Sequence, residues 1–472
     1  ARGVTCHQSP IGDFFQVQVV SHEIGHQFTA SHTWNGVGGS CASGSQWQPA
    51  SSFERGSGST IMAYTGACGA VDNIQGTSDP YFHSRSHEQI LSFITPLACD
   101  VESATGNTVP TVSAGANFTI PSFTPFQLTA TGSDGDGDTI TYSWEERDLG
   151  PQQAANLADN GSSPLFRARE ATTDPTRTCP LLSLLLADNF TAKGERMPIT
   201  TRTLNWRCIV RDNRAGNGGV QSSSMAISVT SAGGSFGVTA PDTAVSWSGV
   251  QTVTWSVAGT NGAPVNCANV NIRLSTDGGN TFPTLLAGPT ANDGSENVTL
   301  PNINTATARI KVESVGNIFF DISAANFTIT PANPDAPTSV VATPPFLCSG
   351  GACSLTANVG PGETVDWYTA GCGTTLEGTG SPLGVNPIAT TTYYAQGRNI
   401  GSGLVGPCTT VTVVVPGLGD ADGSGAVDVA DVGPFVDLVV SDAGTLDCAI
   451  DMDSDGDTDG DDIVLFTDAV IP

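Results

Sequence analysis

Residues 22–32 read His22-Glu23-Ile24-Gly25-His26-Gln27-Phe28-Thr29-Ala30-Ser31-His32. On a helix, His22 and His26 lie one turn apart on the same face, so both imidazoles can bind one metal ion. Glu23 lies beside them, where a carboxylate can deprotonate a metal-bound water. If the chain turns sharply after the helix, His32 completes a set of three neutral ligands, and a fourth position stays open for water. The spacing therefore predicts one catalytic Zn²⁺ ion; the alternative is a helix with scattered surface histidines.

A second segment, Ser59-Thr60-Ile61-Met62-Ala63-Tyr64, follows the third histidine. Together the two segments resemble the metzincin metallopeptidases, and within them the reprolysin (adamalysin)-like group. The pattern of that group is H-E-x-x-H-x-x-G-x-x-H followed by a Met-turn. The resemblance implies that the three histidines are the zinc ligands and that Glu23 is the general base. It also implies that Met62 packs beneath the metal without binding it.

One residue departs from the family pattern. The family glycine falls at Thr29, and a β-branched residue disfavours the positive φ that a tight turn requires. We therefore expect the local backbone to differ and zinc to bind less tightly. The same departure favours an alternative function, a non-catalytic extracellular adhesion or assembly protein with a degenerate protease domain.

Residues 1–100 as a whole are predicted to be the C-terminal part of a metzincin catalytic domain, of α+β class. An amphipathic pattern of apolar residues leads into the zinc-binding helix, and Ala1–Thr5 is a candidate edge strand. In metzincins a twisted sheet precedes this helix and forms the upper wall of the cleft. Only 21 residues precede His22. We therefore expect an N-terminally truncated domain that is weakly active or inactive by itself.

The composition favours short strands and many turns. The chain has 472 residues, with 55 Gly and 29 Pro, and only 13% of its residues are charged; this length suits about three to five domains. The formal net charge is −28, which argues against nucleic acid or an anionic membrane as partner because both need a basic surface. No apolar run is long enough to span a bilayer.

After a polar linker at residues 101–110, β-branched residues alternate with turn residues, as is typical of β-sandwich strands. The predicted immunoglobulin-like sandwiches cover 109–231, 232–332 and 333–416. The first two resemble the immunoglobulin-like modules that trail bacterial reprolysin-like proteases, on the residues Arg202-Thr203-Leu204-Asn205-Trp206-Arg207 and Leu274-Ser275-Thr276-Asp277-Gly278-Gly279. The third is less specifically immunoglobulin-like.

Three carboxylates lie close together in the first of these sandwiches, at Asp134, Asp136 and Asp138. Such a cluster can bind Ca²⁺. The alternative is a polar hairpin loop, in which Asp and Gly satisfy the turn geometry. No further ligands follow in register, so the turn is the favoured interpretation.

The cysteines indicate a secreted protein, either extracellular or associated with a cell surface. There are 12, none of them in a C-x-x-C pair, and a scattered even number is typical of a disulfide-bonded chain. Cys41 and Cys68 bracket the Met-turn and form the first proposed pair. Further plausible pairs are Cys6 with Cys99, Cys179 with Cys208, and Cys372 with Cys408.

Residues 417–472 hold 15 Asp and no Glu, Lys or Arg. Two loops within them place oxygen ligands at positions 1, 3, 5, 7, 9 and 12, with glycine at position 6, as calcium-binding loops require. The predicted ligands of the first loop are Asp420, Asp422, Ser424, Ala426 through its carbonyl, Asp428 and Asp431. Those of the second loop are Asp451, Asp453, Asp455, Asp457 through its carbonyl, Asp459 and Asp462.

Two such loops in register argue against a chance match to the calcium-loop pattern, so the sequence predicts two Ca²⁺ ions. Position 12 is Asp rather than the Glu of the usual EF-hand. A duplicated half-EF-hand of this kind resembles the dockerin module, a small α-helical calcium domain, which implies a cohesin-type partner. A disordered acidic tail is the alternative, although it does not explain the paired glycines.

Taken together, the resemblances imply a secreted, multidomain zinc metalloendopeptidase that acts on a protein or peptide. In that mechanism zinc polarises the scissile carbonyl and acidifies its water, while Glu23 takes the proton and passes it to the leaving amine. The β-sandwiches would space the catalytic unit from a surface or polymer, and the dockerin-like end would dock to its partner.

Overall fold

The computed structural model describes residues 10–97, 104–348, 350–441, 447–454 and 458–470. The chain divides into two units. The first covers the chain through Val245 together with Thr252–Val298 and Ala306–Thr328, and the second covers Ser246–Gln251, Thr299–Thr305 and Ile329–Pro472. None of the helices in these described ranges has the length and apolar character needed to cross a bilayer.

The N-terminal segment, residues 10–97, consists of short helices joined by irregular chain. Its elements are a π-helical stretch Phe14–Ser21, α1 His22–Gln27, a 3₁₀ turn Gly39–Ala42, α2 Gly69–Asp72 and α3 Ser84–Ile94. The predicted zinc-binding helix is α1, which directly continues the π-helical stretch. No residue of that stretch is buried. The amphipathic pattern before α1 therefore does not produce a buried face there. Ala1–Thr5, the candidate edge strand, lies outside the described residues.

Module 1, the part of the chain from residue 111 to residue 230, contains eight strands and one short helix. They are β1 Thr111–Ser113, β2 Phe118–Pro121, β3 Phe126–Thr129, β4 Thr131–Ser133, β5 Thr141–Glu146, β6 Thr176–Cys179, α4 Leu182–Leu186, β7 Arg202–Arg211 and β8 Val220–Thr230. The main sheet has the order β2-β8-β7-β5, in which β2 runs parallel to β8 and the other neighbours are antiparallel. Phe126, Phe166 and Trp206 pack against one another in its core.

Module 1 packs directly on the N-terminal segment. The buried carboxylate of Glu145, on β5, accepts a hydrogen bond from the Ser84 backbone N–H at 2.9 Å and lies 3.2 Å from His83 Nε2. Arg147 donates to Ser84 Oγ at 2.6 Å and pairs with Glu88 at 2.9 Å. Module 1 is therefore joined to the N-terminal segment by more than the linker at 101–110, a contact that the sequence did not predict.

Module 2 follows with nine strands between residues 237 and 329. They are β9 Gly237–Ala240, β10 Ser246–Trp247, β11 Val250–Ser256, β12 Asn269–Ser275, β13 Thr284–Ala291, β14 Ser295–Thr299, β15 Thr305–Ser314, β16 Phe320–Ile322 and β17 Phe327–Ile329. One sheet contains β13-β12-β15-β17 with β16 also paired to β15, and another has the order β14-β11-β9.

Module 3, in the second unit, is a two-sheet sandwich. Its strands are β18 Thr338–Thr343, β19 Cys353–Asn358, β20 Glu363–Thr369, β21 Thr375–Thr379, β22 Leu383–Val385, β23 Thr391–Asn399 and β24 Val405–Val413. The sheets have the orders β18-β19-β22 and β21-β20-β23-β24, and Trp367 is fully buried between them. The described chain is thus multidomain and mostly β, with immunoglobulin-like sandwiches and few helices.

The acidic end, residues 417–472, is helical where the structure describes it. Its elements are a 3₁₀ turn Val429–Asp431, α5 Val432–Ser441, α6 Asp447–Ile450 and α7 Gly460–Val470. Phe435 of α5 stacks on Phe466 of α7 with ring centroids 3.7 Å apart. With Ala421, Ala449 and Ile450 these two rings make a small core.

Two of the proposed disulfides are present. Cys41 and Cys68 are bonded with their Cα atoms 5.1 Å apart, and Cys372 and Cys408 with theirs 5.9 Å apart. Each bond stabilises the fold mainly by constraining the unfolded chain between its two cysteines.

The proposed pairing of Cys179 with Cys208 is wrong. Both are separate buried thiols; Cys179 ends β6 and Cys208 lies on β7, in different sheets. Burial raises the pKa of each thiol to about 12. The proposed pair of Cys6 and Cys99 lies outside the described residues.

Candidate metal centres

Three imidazoles converge where the sequence predicts zinc. A ring nitrogen from each of His22, His26 and His32 lies within 4.8 Å of the other two, and Nε2 of His26 is 3.0 Å from Nε2 of His32. The ring centroids are 4.6 to 5.2 Å apart. This spacing suits three nitrogens that bind one ion, since each would lie about 2.0–2.1 Å from the metal.

The other nitrogen of every imidazole is held by a backbone carbonyl at 2.7 Å. Nδ1 of His22 donates to Ile61 O, that of His26 to Ala30 O, and that of His32 to Gln46 O. A carbonyl only accepts, so each Nδ1 carries the proton and each Nε2 offers its lone pair to the common point. Burial lowers the pKa of His22 and of His32 to about 4, which keeps both rings neutral at pH 7, as metal ligation requires.

Thr29 forms the turn that brings the third histidine to the first two. It has φ of 69°, and its N–H bonds His26 O at 3.0 Å while Ala30 N–H bonds Gly25 O at 3.0 Å. This pair of bonds is the Schellman arrangement that ends a helix with one left-handed residue. The expected change of backbone is therefore wrong: the turn is kept, and Thr29 carries the strain that glycine would avoid.

Met62 is fully buried and lies against Gly25 of α1. It packs with Ala30, Ile61, Val17 and Phe82. A Cβ atom at Gly25 would overlap Met62 Sδ and come within 3.0 Å of Phe82. Sequence reasoning missed Gly25, although a glycine inside a helix costs about 1 kcal/mol and usually has a packing reason.

A cavity of about 370 Å³ opens at the three histidines. Its lining includes Glu23, Gln18 and Tyr64. The Tyr64 ring stacks on Trp34, with 5.3 Å between centroids, and lies 4.5 Å from the His32 ring. Glu23 therefore faces the same space as the metal ligands, and Tyr64 forms a wall that the sequence did not single out.

The first acidic loop gathers Asp420, Asp422 and Asp431, whose carboxylate oxygens lie within 4.8 Å of one another. Asp431 is buried and accepts hydrogen bonds from the N–H groups of Asp422 at 2.9 Å and Asp428 at 2.8 Å. Asp420 is 2% exposed, and its Oδ1 has no hydrogen-bond partner among the described residues. Ser424 and Ala426 lie in the same loop, joined by a bond from Ser424 Oγ to Ala426 O at 3.4 Å.

The second loop repeats this arrangement. Oxygens of Asp451, Asp453 and Asp462 lie within 4.8 Å of one another. Asp462 accepts from the Asp453 N–H at 3.2 Å and from the Asp459 N–H at 2.8 Å, as Asp431 does in the first loop. The predicted ligands Asp455 and Asp457 lie outside the described residues.

The third acidic cluster fits a polar turn. Asp134 Oδ1 accepts from the N–H groups of Asp136 at 2.9 Å and Asp138 at 3.1 Å. Arg214 lies 3.2 Å from Asp136 and 3.8 Å from Asp138. Backbone amides and a guanidinium thus engage part of this cluster, while Oδ2 of Asp134 and Oδ2 of Asp138 have no hydrogen-bond partner among the described residues. The polar turn stays a prediction.

Two family models match the chain. The model of the reprolysin-like metallopeptidases of family M12B matches residues 2–78, a stretch that contains the three histidines, Glu23 and Met62. Peptidases of that family are zinc-dependent. The model of the CHU_C-associated Ig-like domains matches residues 334–416.

No curated protein matches the chain. Among solved structures it is similar to the chicken CNTN1 FN1-FN3 domains at 13% identity, covering 62% of this chain and 94% of that one, with a TM-score of 0.16. It is also similar to the ICAM-5 D1-D4 ectodomain fragment at 15% identity, covering 63% and 73%, with a TM-score of 0.18. Likeness at this level carries no functional argument. The two family matches support a metallopeptidase with immunoglobulin-like modules.

Proposed function

We propose that this chain belongs to a secreted zinc-dependent endopeptidase and contributes its zinc ligands and catalytic base. The observation that carries the proposal is the orientation of His22, His26 and His32. Each Nδ1–H is bonded to a carbonyl at 2.7 Å, so the Nε2 lone pairs face one point. Surface histidines that bind nothing have no need of three matched carbonyl partners. The donor set of three neutral imidazoles is that of an open, catalytic zinc site.

Zinc bound to these imidazoles would polarise the scissile carbonyl and acidify a water at the open position. Glu23 lines the cavity at the ligands, where its carboxylate takes the proton and then delivers it to the leaving amine. The carbonyls of Ile61, Ala30 and Gln46 hold the imidazoles in place, so little reorganisation is needed as charge develops. Tyr64, whose ring stacks on Trp34, lines the cavity beside these groups.

Metal analysis of the full chain tests the proposal. We expect about one zinc per chain, reduced strongly by His26→Ala but not by the matched His87→Ala, a histidine of α3 outside the cluster. Zinc content that His26→Ala leaves unchanged would contradict the site. Glu23→Ala should keep the metal and lower peptide cleavage by about 10²–10⁴-fold, and undiminished turnover in that variant would remove Glu23 from the mechanism.

We further propose that the acidic end binds two Ca²⁺ ions and acts as a dockerin-like docking module for a cohesin-type partner. The support is Asp420, which is buried with one carboxylate oxygen lacking a hydrogen-bond partner among the described residues. A buried, unpaired carboxylate oxygen is costly unless a cation binds it. Calorimetry should find two ions in the full chain and one in an Asp420→Ala/Asp422→Ala variant; a stoichiometry of zero would return this segment to an acidic tail.

A further inference from the structure

Two neighbouring residues, Glu54 and Arg55, are both almost fully buried, at 1% and 0% exposed. Their side chains enter different parts of the molecule. We propose that Glu54 and Arg55 together make module 1 a positioning element of the zinc site, so that contacts of module 1 set the geometry of the third histidine and the Met-turn. This inference rests on the proposed zinc site and adds to it a part of the chain that lies outside the peptidase pattern.

The Glu54 carboxylate ties the chain after His32 to the chain before Met62. Oε1 accepts from Thr33 Oγ1 and Thr60 Oγ1, both at 2.5 Å, and Oε2 accepts from the backbone N–H groups of Ser59 at 2.7 Å and Thr60 at 3.1 Å. The backbone repeats the connection, because Thr33 N–H bonds Met62 O at 3.2 Å. The Glu54 carboxylate therefore holds together the chain that follows His32 and the chain that precedes Met62.

The Arg55 guanidinium enters module 1. It donates to Gln153 Oε1 at 3.1 Å and to four backbone carbonyls of the chain between β5 and β6. Those carbonyls belong to Pro164 at 3.0 Å, Ala154 and Ala155 at 3.3 Å, and Leu157 at 2.6 Å. Its charge is stabilised by these module 1 carbonyls, which it in turn satisfies, and at longer range by the carboxylates of Glu146 and Asp159.

The segment that receives Arg55, residues 147–175 between β5 and β6, is itself fixed to module 1. Glu146 Oε2 accepts from the N–H groups of Leu165 and Phe166, both at 2.6 Å. Arg202, on β7, pairs with Asp148 at 3.0 Å and with Asp159 at 2.8 Å. These buried hydrogen bonds and ion pairs hold the segment in a fixed conformation on module 1, so it can in turn fix the position of Arg55.

A second contact runs in parallel. Asp72 Oδ1 accepts from the Ala155 N–H at 2.6 Å, while its Oδ2 accepts from the N–H groups of Val37 at 2.7 Å and Gly38 at 2.6 Å. A Cβ atom at Gly56 would lie only 2.8 Å from Ala155 Cβ. Ala155 therefore packs closely against Gly56, and a larger side chain there must push the two parts of the chain away from each other.

The experiment uses the full chain and changes the contact from both sides. Arg55→Lys keeps the charge but cannot reach five acceptors. Ala155→Leu acts from module 1 and touches no residue of the peptidase pattern, and Ala158→Leu, at an exposed position of the same segment, is its matched control. We measure zinc affinity by competition with a chelating dye, the visible spectrum of the Co²⁺-loaded protein, and amide exchange of residues 57–62.

Arg55→Lys and Ala155→Leu should each weaken zinc binding by about tenfold, the size of effect that outer-shell changes have on metal sites. They should also alter the Co²⁺ spectrum and speed exchange at residues 57–62, whereas Ala158→Leu changes none of the three. A merely structural role would lower the melting temperature and leave the affinity and spectrum of the folded protein unchanged, and that result would overturn the inference. If the unsubstituted chain binds no zinc, the proposed function fails, and unchanged exchange at residues 57–62 would then reject the coupling by itself.

Discussion

The histidine cluster and the acidic loops differ in what holds their ligands before any metal arrives. Nδ1 of each imidazole is hydrogen-bonded to a backbone carbonyl at 2.7 Å. Met62, which packs against the same helix, is fully buried. The carboxylates of the acidic end bond instead to the amides of their own loops, as Asp431 does with Asp422 and Asp428. The imidazoles are thus oriented by carbonyls of other parts of the chain, whereas the carboxylates are held by amides of their own loop.

This difference has an energetic consequence. The acidic end carries 15 Asp and no basic residue, so like charges oppose its compact form. Where the structure describes it, its buried core consists of Phe435, Phe466, Ala421, Ala449 and Ile450. The histidine cluster adds no charge when its imidazoles are neutral, and it is joined to module 1 through the buried Arg55. We therefore expect metal to shape the acidic end and merely to occupy the histidine cluster.

Selective chelation tests this comparison most directly and should give the largest effect. Removing Ca²⁺ with EGTA should cost the acidic end about 3–4 kcal/mol, the linkage expected for a ligand held well above its Kd. Amide exchange along α5 and α7 should then speed up strongly. Removing zinc with 1,10-phenanthroline should leave exchange along α1 nearly unchanged, because the hydrogen bonds that orient the histidines remain.

Asp437→Ala is the control for charge alone, since Asp437 is exposed on α5 outside both loops. It should leave the response to EGTA intact. Equal sensitivity of α1 and α5 to their respective chelators would break the distinction between a site built by its surroundings and a site built by its ion.

The packing beneath the histidines gives the next largest effect. Gly25→Ala places a methyl group against Met62 Sδ and Phe82, so we expect a loss of about 2–3 kcal/mol in the free energy of unfolding. In a Met62→Val background, where the overlapping thioether is absent, adding Gly25→Ala should cost much less. Denaturant unfolding of the four proteins gives the coupling energy, and strictly additive losses would contradict the contact.

Much of the histidine site was readable from the sequence because its ligands follow one helical turn. His22 and His26 are fixed by the period of a helix, and the Met-turn by its own short motif. The grouping of Asp420, Asp422 and Asp431 was readable for the same reason, since the register of the loop is local; calcium there stays a prediction. Local spacing is what a sequence records most directly.

What the sequence could not supply is long-range. Arg55 meets carbonyls about a hundred positions later in the chain, and a backbone carbonyl has no residue-type signature. The pairing of Cys179 with Cys208 also failed, because cysteine spacing alone does not decide which thiols meet in the fold. At Thr29 the residue type indicated strain but not the outcome, which is a left-handed residue closed by the local bonds to His26 O and Gly25 O.

A half-buried carboxylate outside both candidate metal sites, Asp321, provides a further comparison. Asp321 accepts from the Val238 N–H at 2.8 Å, and burial raises its pKa from 3.8 to about 7. Because the folded form binds the proton more tightly, its stabilising effect is full below pH 4 and is lost as pH rises through about 7. Raising the pH from 5 to 8 should lower the free energy of unfolding by about 2 kcal/mol, measured in a constant excess of Ca²⁺.

The matched variant is Asp321→Asn, which cannot ionise. It should lose that part of the pH dependence and leave the remainder of the profile in place. A profile identical to that of the parent chain would mean that Asp321 does not titrate in this range.

The smallest predicted effect concerns Thr29, where the comparison returns to strain. A left-handed conformation costs a residue with a Cβ atom about 1–2 kcal/mol, and Thr29 has φ of 69°. Thr29→Gly removes that cost but gives the unfolded chain more freedom, worth about 0.5–1 kcal/mol. The two terms leave a net stabilisation of about 0.5–1 kcal/mol, observable as a raised urea midpoint with an unchanged slope. Thr29→Val keeps the branched Cβ and should give no gain. Zinc affinity should not fall in Thr29→Gly, because the bonds from residues 29 and 30 to His26 O and Gly25 O involve only backbone.

A destabilised Thr29→Gly protein would mean that the threonine side chain holds the turn, through its long contact to Gln89 O at 3.4 Å, and that the turn is not strained.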